Sequence, residues 1–565
     1  MIKKIKVFIE KSDRKLLLIV FVFIVLIMTP IIFQGIMCND GLSLLFLRKV
    51  GLREFFADAI NQSAAKGRPL GGIVSIRLLD FVSDNMYVNR LANVILILLV
   101  TGLFMYFVYN MNGNKYLSFF CGLVILSCMP ITFEIGAPNA FVAVILFPFM
   151  LLICSLLLFW RYLNFSKIRY LFYSMMLFLI GMMQYEFIVT YVLMFYVLSL
   201  KYYSNIDRLN WKIVLKKIVV PTFIALFYII SYFGIQLRYP SNYSGNTVGL
   251  SFRGLLNVLY VLAKSSLPGY FLFNEKHKYL REIYSKQFEY DIFLKIIVYV
   301  IVLIFISIAL VLFKSGRNKV RKWNWIEMLV AVVFMVVPTI PNSISSMYQE
   351  LVSESLFTWC PVSICLYFAA CFFVSSIIWN CCSYINRYFL WIGVVCMACY
   401  VGQIQYMNYI FANQQHIDFT RLEKIENMFD LQLWTCFDEQ EIYSKDIYET
   451  RNTIAVHDGY WSSYLNKNGL NVSVVNDNVS GKINLFFPND RYFVLSNQNI
   501  AIICSPESLE NEWGIVEISP DQCICIKFCG EVYDSGYYFY CFKLNDLYAS
   551  EISFDSAVNE MLIGD

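Results

Sequence analysis

Runs of about twenty apolar residues recur along this chain, at about 16–37, 88–110, 117–136, 139–160, 218–237, 292–313, 355–380 and 388–411. Each is long enough to cross the roughly 30 Å hydrocarbon core of a bilayer as a helix. A backbone in lipid must satisfy its own hydrogen bonds, so a helical bundle is the architecture these runs impose. Composition agrees, with 58% of the 565 residues apolar and only 15% charged, against about 25% charged in a soluble domain. Two regions are less regular. The stretch from Tyr170 to Leu200 is too long for one span and carries Gln184 and Glu186 near its middle, which predicts two short helices joined by a turn. The run from about 326 to 340 is short and ends at Pro338 and Pro341, where missing N–H groups stop a helix. The sum is eleven spans.

Basic residues orient the bundle. With the N-terminus inside, the cytoplasmic side receives Lys3 to Lys15, then Lys115, then Arg161, Lys167 and Arg169, then Lys201 to Lys217, then Lys314 to Lys322, and finally Arg387. Every second short loop is basic, which is the positive-inside pattern. The expectation is a multi-pass protein of the inner (cytoplasmic) membrane, with an uncleaved first span, a cytoplasmic N-terminus and an extracytoplasmic C-terminus. It divides into a membrane domain over 1–411, with outer loops at about 38–87 and 238–291, and a small extracytoplasmic α/β domain over 412–565. That domain opens with a helix-like run, Ile417 to Leu433, and alternates like strands at Val472 to Val475, Lys482 to Phe487, Tyr492 to Ser496 and Tyr537 to Phe542. A net charge of +4 leaves no basic footprint for nucleic acid.

Six of the 17 cysteines fall outside the spans: Cys436, Cys504, Cys523, Cys525, Cys529 and Cys541. They lack the CxxC pairs and neighbouring histidine of a zinc site. Ordinary buried thiols or an occasional disulfide both suit them, so the redox compartment stays open. Walker, GxGxxG, HExxH and GxSxG motifs are missing, which argues against nucleotide-driven pumping. Few charges fall within the spans, which argues against a proton-coupled carrier.

The first outer loop is the informative place. Met37-Cys38-Asn39-Asp40-Gly41 puts a carboxylate at the mouth of the first span, where an acid can take a proton from an incoming hydroxyl. Asp40 equally suits the cap of a following helix. Lys66-Gly67-Arg68-Pro69-Leu70 then sets two cations around a glycine turn, where a guanidinium matches phosphate oxygens and a plain basic juxtamembrane turn suits the same residues at least as well. A base and a cation pair at headgroup depth suit transfer of a sugar from a lipid phosphate. In the second outer loop Arg238 and His277, with Lys276, Lys278 and Arg281, could grip a phosphate, but a solvated basic loop suits them better.

Asn39-Asp40, Gly67-Arg68-Pro69-Leu70 and Met183-Gln184-Tyr185-Glu186-Phe187, with the layout of spans up to about Phe411, resemble the polytopic glycosyltransferases of the GT-C class. Within it they resemble the bacterial Gtr-type glucosyltransferases that decorate O-antigen or wall polysaccharide. The resemblance implies a polyprenyl-phosphate hexose as donor and a polysaccharide or lipid-linked oligosaccharide as acceptor, with transfer at the outer face of the membrane. It makes Asp40 the general base, Arg68 a contact to the donor phosphate, and Gln184, Tyr185 and Glu186 the lining of the sugar pocket, with Asn39 and Lys66 beside them. A single base and a phosphate leaving group favour an inverting displacement. Many members carry two adjacent acids where this chain has Asn39-Asp40, which weakens the case for Mg2+ or Mn2+; no metal ligands are assigned. The rival functions are a repeat-unit polymerase, a lipid-linked oligosaccharide flippase or carrier, and a non-catalytic polysaccharide-binding scaffold.

Overall fold

Helices dominate the computed structural model, which describes residues 14–35, 52–53, 56–57, 60, 68–71, 82–83, 85–131, 138, 140–204, 211–238, 247–249, 251–273, 292–316, 325–353, 362–384, 387–430, 432–437, 441–443, 473–475, 483–486, 491–497, 499–519, 522–528, 530–534 and 536–543. The chain forms two units, one of Met1–Gln34 and Leu47–Asn413, the other of Gly35–Phe46 and Gln414–Asp565.

The first unit is a bundle. Its helices are α1 (Arg14–Phe33), α2 (Met86–Asn112), α3 (Lys115–Ser127), α4 (Val142–Phe165), α5 (Ile168–Gln184), α6 (Val192–Ser204) and α7 (Trp211–Arg238). They continue with α8 (Phe252–Ser265), α9 (Ile292–Gly316), α10 (Trp325–Val336), α11 (Thr339–Ile344), α12 (Ser346–Ser353), α13 (Ser363–Tyr384) and α14 (Arg387–Asp430). Among the described residues, eight helical stretches are long and apolar enough to cross a membrane, and α3, α5 and Leu18–Phe33 of α1 are shorter apolar helices beside them. The 170–200 region folds as two helices, α5 and α6, joined through a 3-10 turn at Glu186–Tyr191.

Local chemistry sets the helix ends. Asn85 opens α2 by accepting from the Tyr87 and Val88 amides, and Gly113, at φ +71°, closes it. Asn114 then caps α3 through the Tyr116 and Leu117 amides, so Asn112-Gly113-Asn114 is a complete helix–turn–helix signal. The hairpin of α4 and α5 is pinned at mid-height by Ser155 and Ser174, each hydroxyl donating to the other's backbone carbonyl at 2.8 Å. Helix association in lipid relies on such bonds and on close packing. Phe104, Phe149, Phe334 and Phe368 supply that packing from α2, α4, α10 and α13, with centroids 5.4–6.5 Å apart in the pairs Phe104–Phe368 and Phe104–Phe149.

Three features differ from the hydropathy reading. The span expected over 117–136 stops at Ser127, and the non-helical backbone that follows is held by distant side chains. Asn408 donates to the Met129 carbonyl and accepts from the Ile131 amide, both at 2.9 Å. Gln405 donates to the Ser127 carbonyl at 2.8 Å and Tyr367 to the Ile125 carbonyl at 2.7 Å. Irregular backbone inside an apolar bundle survives only where protein supplies its partners. Second, Lys201 is no loop cation: it is fully buried and paired with Glu327 of α10 at 2.8 Å. Third, the last span and the helix-like run after it are one helix, α14, of 44 residues, about 66 Å at 1.5 Å per residue. The unit boundary falls inside it.

The second unit carries a seven-stranded sheet in the order β2-β1-β3-β4-β5-β9-β8, from β1 (Glu441–Tyr443), β2 (Ser473–Val475), β3 (Ile483–Phe486), β4 (Phe493–Ser496), β5 (Ile500–Ser505), β8 (Val532–Asp534) and β9 (Tyr537–Lys543). β1 pairs parallel with β2 and β3, and the remaining pairs are antiparallel. β6 (Trp513–Ser519) and β7 (Gln522–Lys527) form a separate hairpin. Tyr492, Val494, Ile503, Phe528 and Tyr540 form a core cluster of the second unit. The Tyr540 hydroxyl accepts from the Leu509 amide at 2.6 Å and donates to Glu531 at 2.9 Å. Cys436, Cys504 and Cys541 are free thiols, and burial pushes Cys504 up to about 12, which leaves it inert near neutral pH. The side chains of Cys523, Cys525 and Cys529 lie outside the described residues.

Candidate functional site

Arg68-Pro69-Leu70-Gly71 is a tight turn, with the Gly71 amide donating to the Arg68 carbonyl at 2.8 Å. Proline in the second position pre-sets its backbone angle. The turn is centred on Pro69 and Leu70, two to three residues beyond Gly67. It docks on the end of α5, where the Leu70 amide donates to the Met183 carbonyl at 3.1 Å. A Cβ on Gly71 would stand 2.8 Å from the Arg68 Cβ and 3.3 Å from the Gln184 carbonyl oxygen, so the close approach needs glycine.

Docking the turn there delivers Arg68 to the α5–α6 junction. Its Nε and Nη2 donate to the two Glu186 carboxylate oxygens, both at 2.6 Å. The guanidinium carbon lies 3.8 Å from the centre of the Tyr185 ring, and Phe187 meets that ring edge-on with centroids 5.0 Å apart. A guanidinium that is both forked onto a carboxylate and stacked on a ring is fixed in direction. Tyr185 is in extended conformation, which breaks the helix and turns successive side chains of the junction in different directions. The short helix α11 packs against the 186–191 turn, and α8 packs on α11 and α12.

Beside this pair lie polar groups with no partner. Gln184 is 1% exposed, and neither its amide nitrogen nor its oxygen has a hydrogen-bond partner. Tyr228 of α7 is 6% exposed with an unpartnered hydroxyl, within electrostatic reach of both Glu186 and Arg68. A buried polar group left unpaired costs about 1–3 kcal/mol. The buried Tyr191 hydroxyl, in the same 3-10 turn, is unpartnered as well, whereas native interiors pair nearly all such atoms. Unpartnered donors and acceptors near aromatic rings suit a ligand rich in hydroxyls.

Of the candidates named from sequence, Arg68, Gln184, Tyr185 and Glu186 meet at this junction. Arg238 ends α7, and its side chain lies outside the described residues. Asn39, Asp40, Lys66 and His277 lie outside them too, as does most of the stretch that follows Asp40. Among the described residues no three of His, Cys, Asp and Glu gather as metal ligands. Sequence reasoning missed Tyr228, which sits within an apolar run and reads as packing; the one signal was its spacing with Tyr232, whose ring lies 6.2 Å away.

The chain matches no family model, no curated protein and no solved structure.

Proposed function

We propose that this chain is a membrane glycosyltransferase that moves a hexose, with glucose the leading candidate, from a polyprenyl-phosphate donor to a cell-surface polysaccharide or its lipid-linked repeat unit. The observation that carries the reading is the unpartnered Gln184 amide and Tyr228 hydroxyl beside an Arg68 fork held by Glu186 and Tyr185. The amide and the hydroxyl match the donors and acceptors of a sugar ring. Arg68 offers the donor phosphate the same planar fork that it gives Glu186. Glu186 then acts as the counter-ion that keeps the fork aimed until phosphate competes for it.

Counting the three shorter apolar helices as crossing gives eleven spans. With basic loops inside, this orientation puts the second unit on the extracytoplasmic side, with the protein in the inner membrane. Asp40 is assigned the general base and Asn39 and Lys66 its neighbours, with direct, inverting displacement at the anomeric carbon.

The test is transfer of labelled hexose from a panel of polyprenyl-phosphate sugars to native polysaccharide, in membranes with and without the protein. Transfer that depends on the protein, giving a product of inverted anomeric configuration, supports the reading. Protein-independent labelling with every donor would overturn it, and a retained anomer would overturn the displacement.

A further inference from the structure

The opposite end of the α4–α5 hairpin holds a second unusual arrangement. α5 has 17 residues, so this end lies about 25 Å from Gln184 along the helix. Arg161 sits four residues before the end of α4, and Lys217 six residues after the start of α7. Both are half-buried. Lys217 donates to the Tyr162 hydroxyl at 3.2 Å and lies 4.3 Å from the centre of that ring. Arg161 reaches the Tyr106 hydroxyl of α2 at 3.4 Å. The Tyr203 phenol of α6 is within electrostatic reach of Lys217 and Tyr162.

Among the described residues neither cation forms an ion pair. The contrast with Lys201 is informative. Lys201 lies in the last turn of α6 and is matched by Glu327, whereas the cations on α4 and α7 have only phenol oxygens. Those phenols can accept from the cations and still donate to an oxyanion, and the adjacency of Arg161 and Tyr162 on α4 puts the two cation–phenol pairs on neighbouring faces of one helical turn. The residues stand within about two turns of helix ends, the depth at which bilayer phosphates lie.

We propose that Arg161 and Lys217, with the Tyr106, Tyr162 and Tyr203 hydroxyls, form a binding site for the phosphate of an anionic membrane lipid. The site recognises a lipid-borne phosphate oxyanion through two charge-assisted bonds, and the lipid tails lie along the neighbouring apolar helix faces. It is separate from the Gln184 junction and does not depend on what that junction transfers.

The experiment uses the full chain purified in mild detergent, with retained lipid counted by native mass spectrometry after incubation with phosphatidylcholine, phosphatidylglycerol, a short-chain polyprenyl phosphate or inorganic phosphate. The expected result is selective retention of phosphatidylglycerol or polyprenyl phosphate, and which of the two is kept identifies the source. Arg161→Gln with Lys217→Gln should weaken that retention about tenfold or more, as loss of two charge-assisted contacts implies. Lys167→Gln with Arg169→Gln removes the same charge from the exposed turn at the same end and should leave retention unchanged. Tyr162→Phe keeps both cations, so it tests the site should the double variant fail to fold, and it should weaken retention by a few fold. Equal losses in the two double variants would reduce the effect to surface charge and overturn the proposal. Unchanged retention in the Arg161/Lys217 and Tyr162 variants, or inorganic phosphate competing as well as the lipids, would overturn it too.

Discussion

Arg68 and Glu186 lie 118 residues apart in sequence and close a two-pronged ion pair, both contacts at 2.6 Å. Their side chains are 14% and 24% exposed, so each charge depends on the other for much of its solvation. Removing one strands its partner, at a cost of about 1–3 kcal/mol for a charged group so placed. Arg68→Gln and Glu186→Gln should each lower the melting temperature of the detergent-purified protein. The double variant should recover part of the loss, because it leaves no stranded charge. Losses that simply add would show that the two residues are not coupled.

The unpartnered groups imply the opposite balance. Tyr228→Phe and Gln184→Leu each remove buried polar atoms that have no partner, so the unliganded protein should melt no lower than the wild type. Sugar transfer should fall by about tenfold or more, because a site built around hydrogen bonds discriminates strongly against their loss. Thermal melting and a transfer assay on the same preparations check this pairing. A lower melting temperature with full transfer would make these residues structural.

Asn408 tests the irregular segment after α3. Asn408→Leu leaves the Met129 carbonyl and the Ile131 amide without their bonds, at about 1–3 kcal/mol each. Expression and melting temperature should both drop sharply, and Tyr367→Phe, which removes one bond to the Ile125 carbonyl, should cost less. A fully stable Asn408→Leu protein would mean that this backbone finds other partners.

In the second unit Arg491 forks onto Glu512 at 2.7 and 3.0 Å and holds its carboxyl below the usual carboxylate range. A lowered folded pKa contributes stability that is complete above the unfolded value of about 4.3 and is lost as pH falls through the folded value. The side chains are 48% and 46% exposed, so the effect is below about 1 kcal/mol. Amide exchange protection in β6 and β7, corrected for intrinsic rates, should hold down to about pH 5 and decline below about pH 4. Glu512→Gln should remove that component of the decline; an identical profile in both proteins would contradict it.

Hydropathy reads the long spans well because lipid demands contiguous apolar residues whatever their neighbours. It misplaces the end of α3, since Cys128 to Ile131 continue the apolar run; Pro130 within that run is a local stop, while Asn408, which bonds the Met129 carbonyl and the Ile131 amide, comes from elsewhere in the chain. It divides α14 at a change of polarity that the helix ignores. β5 was illegible as a strand because Ile500–Ser505 is buried nearly throughout and shows no alternation. At the candidate site, Arg68, Gln184, Tyr185 and Glu186 stand out as polar residues next to apolar runs. Tyr228 does not, because an aromatic residue within a span looks like packing until its unpartnered hydroxyl is seen.

The most direct test is photo-crosslinking with a polyprenyl-phosphate hexose carrying a photoreactive group on the sugar, in membranes containing the full chain, with crosslinked peptides mapped by mass spectrometry. The expected result is labelling of peptides that include Arg68 to Gly71, Gln184 to Tyr191 or Tyr228, competed by unmodified donor and strongly reduced in Arg68→Ala. Labelling that maps elsewhere, or that survives both competition and Arg68→Ala, would contradict the assignment of this junction as the donor site.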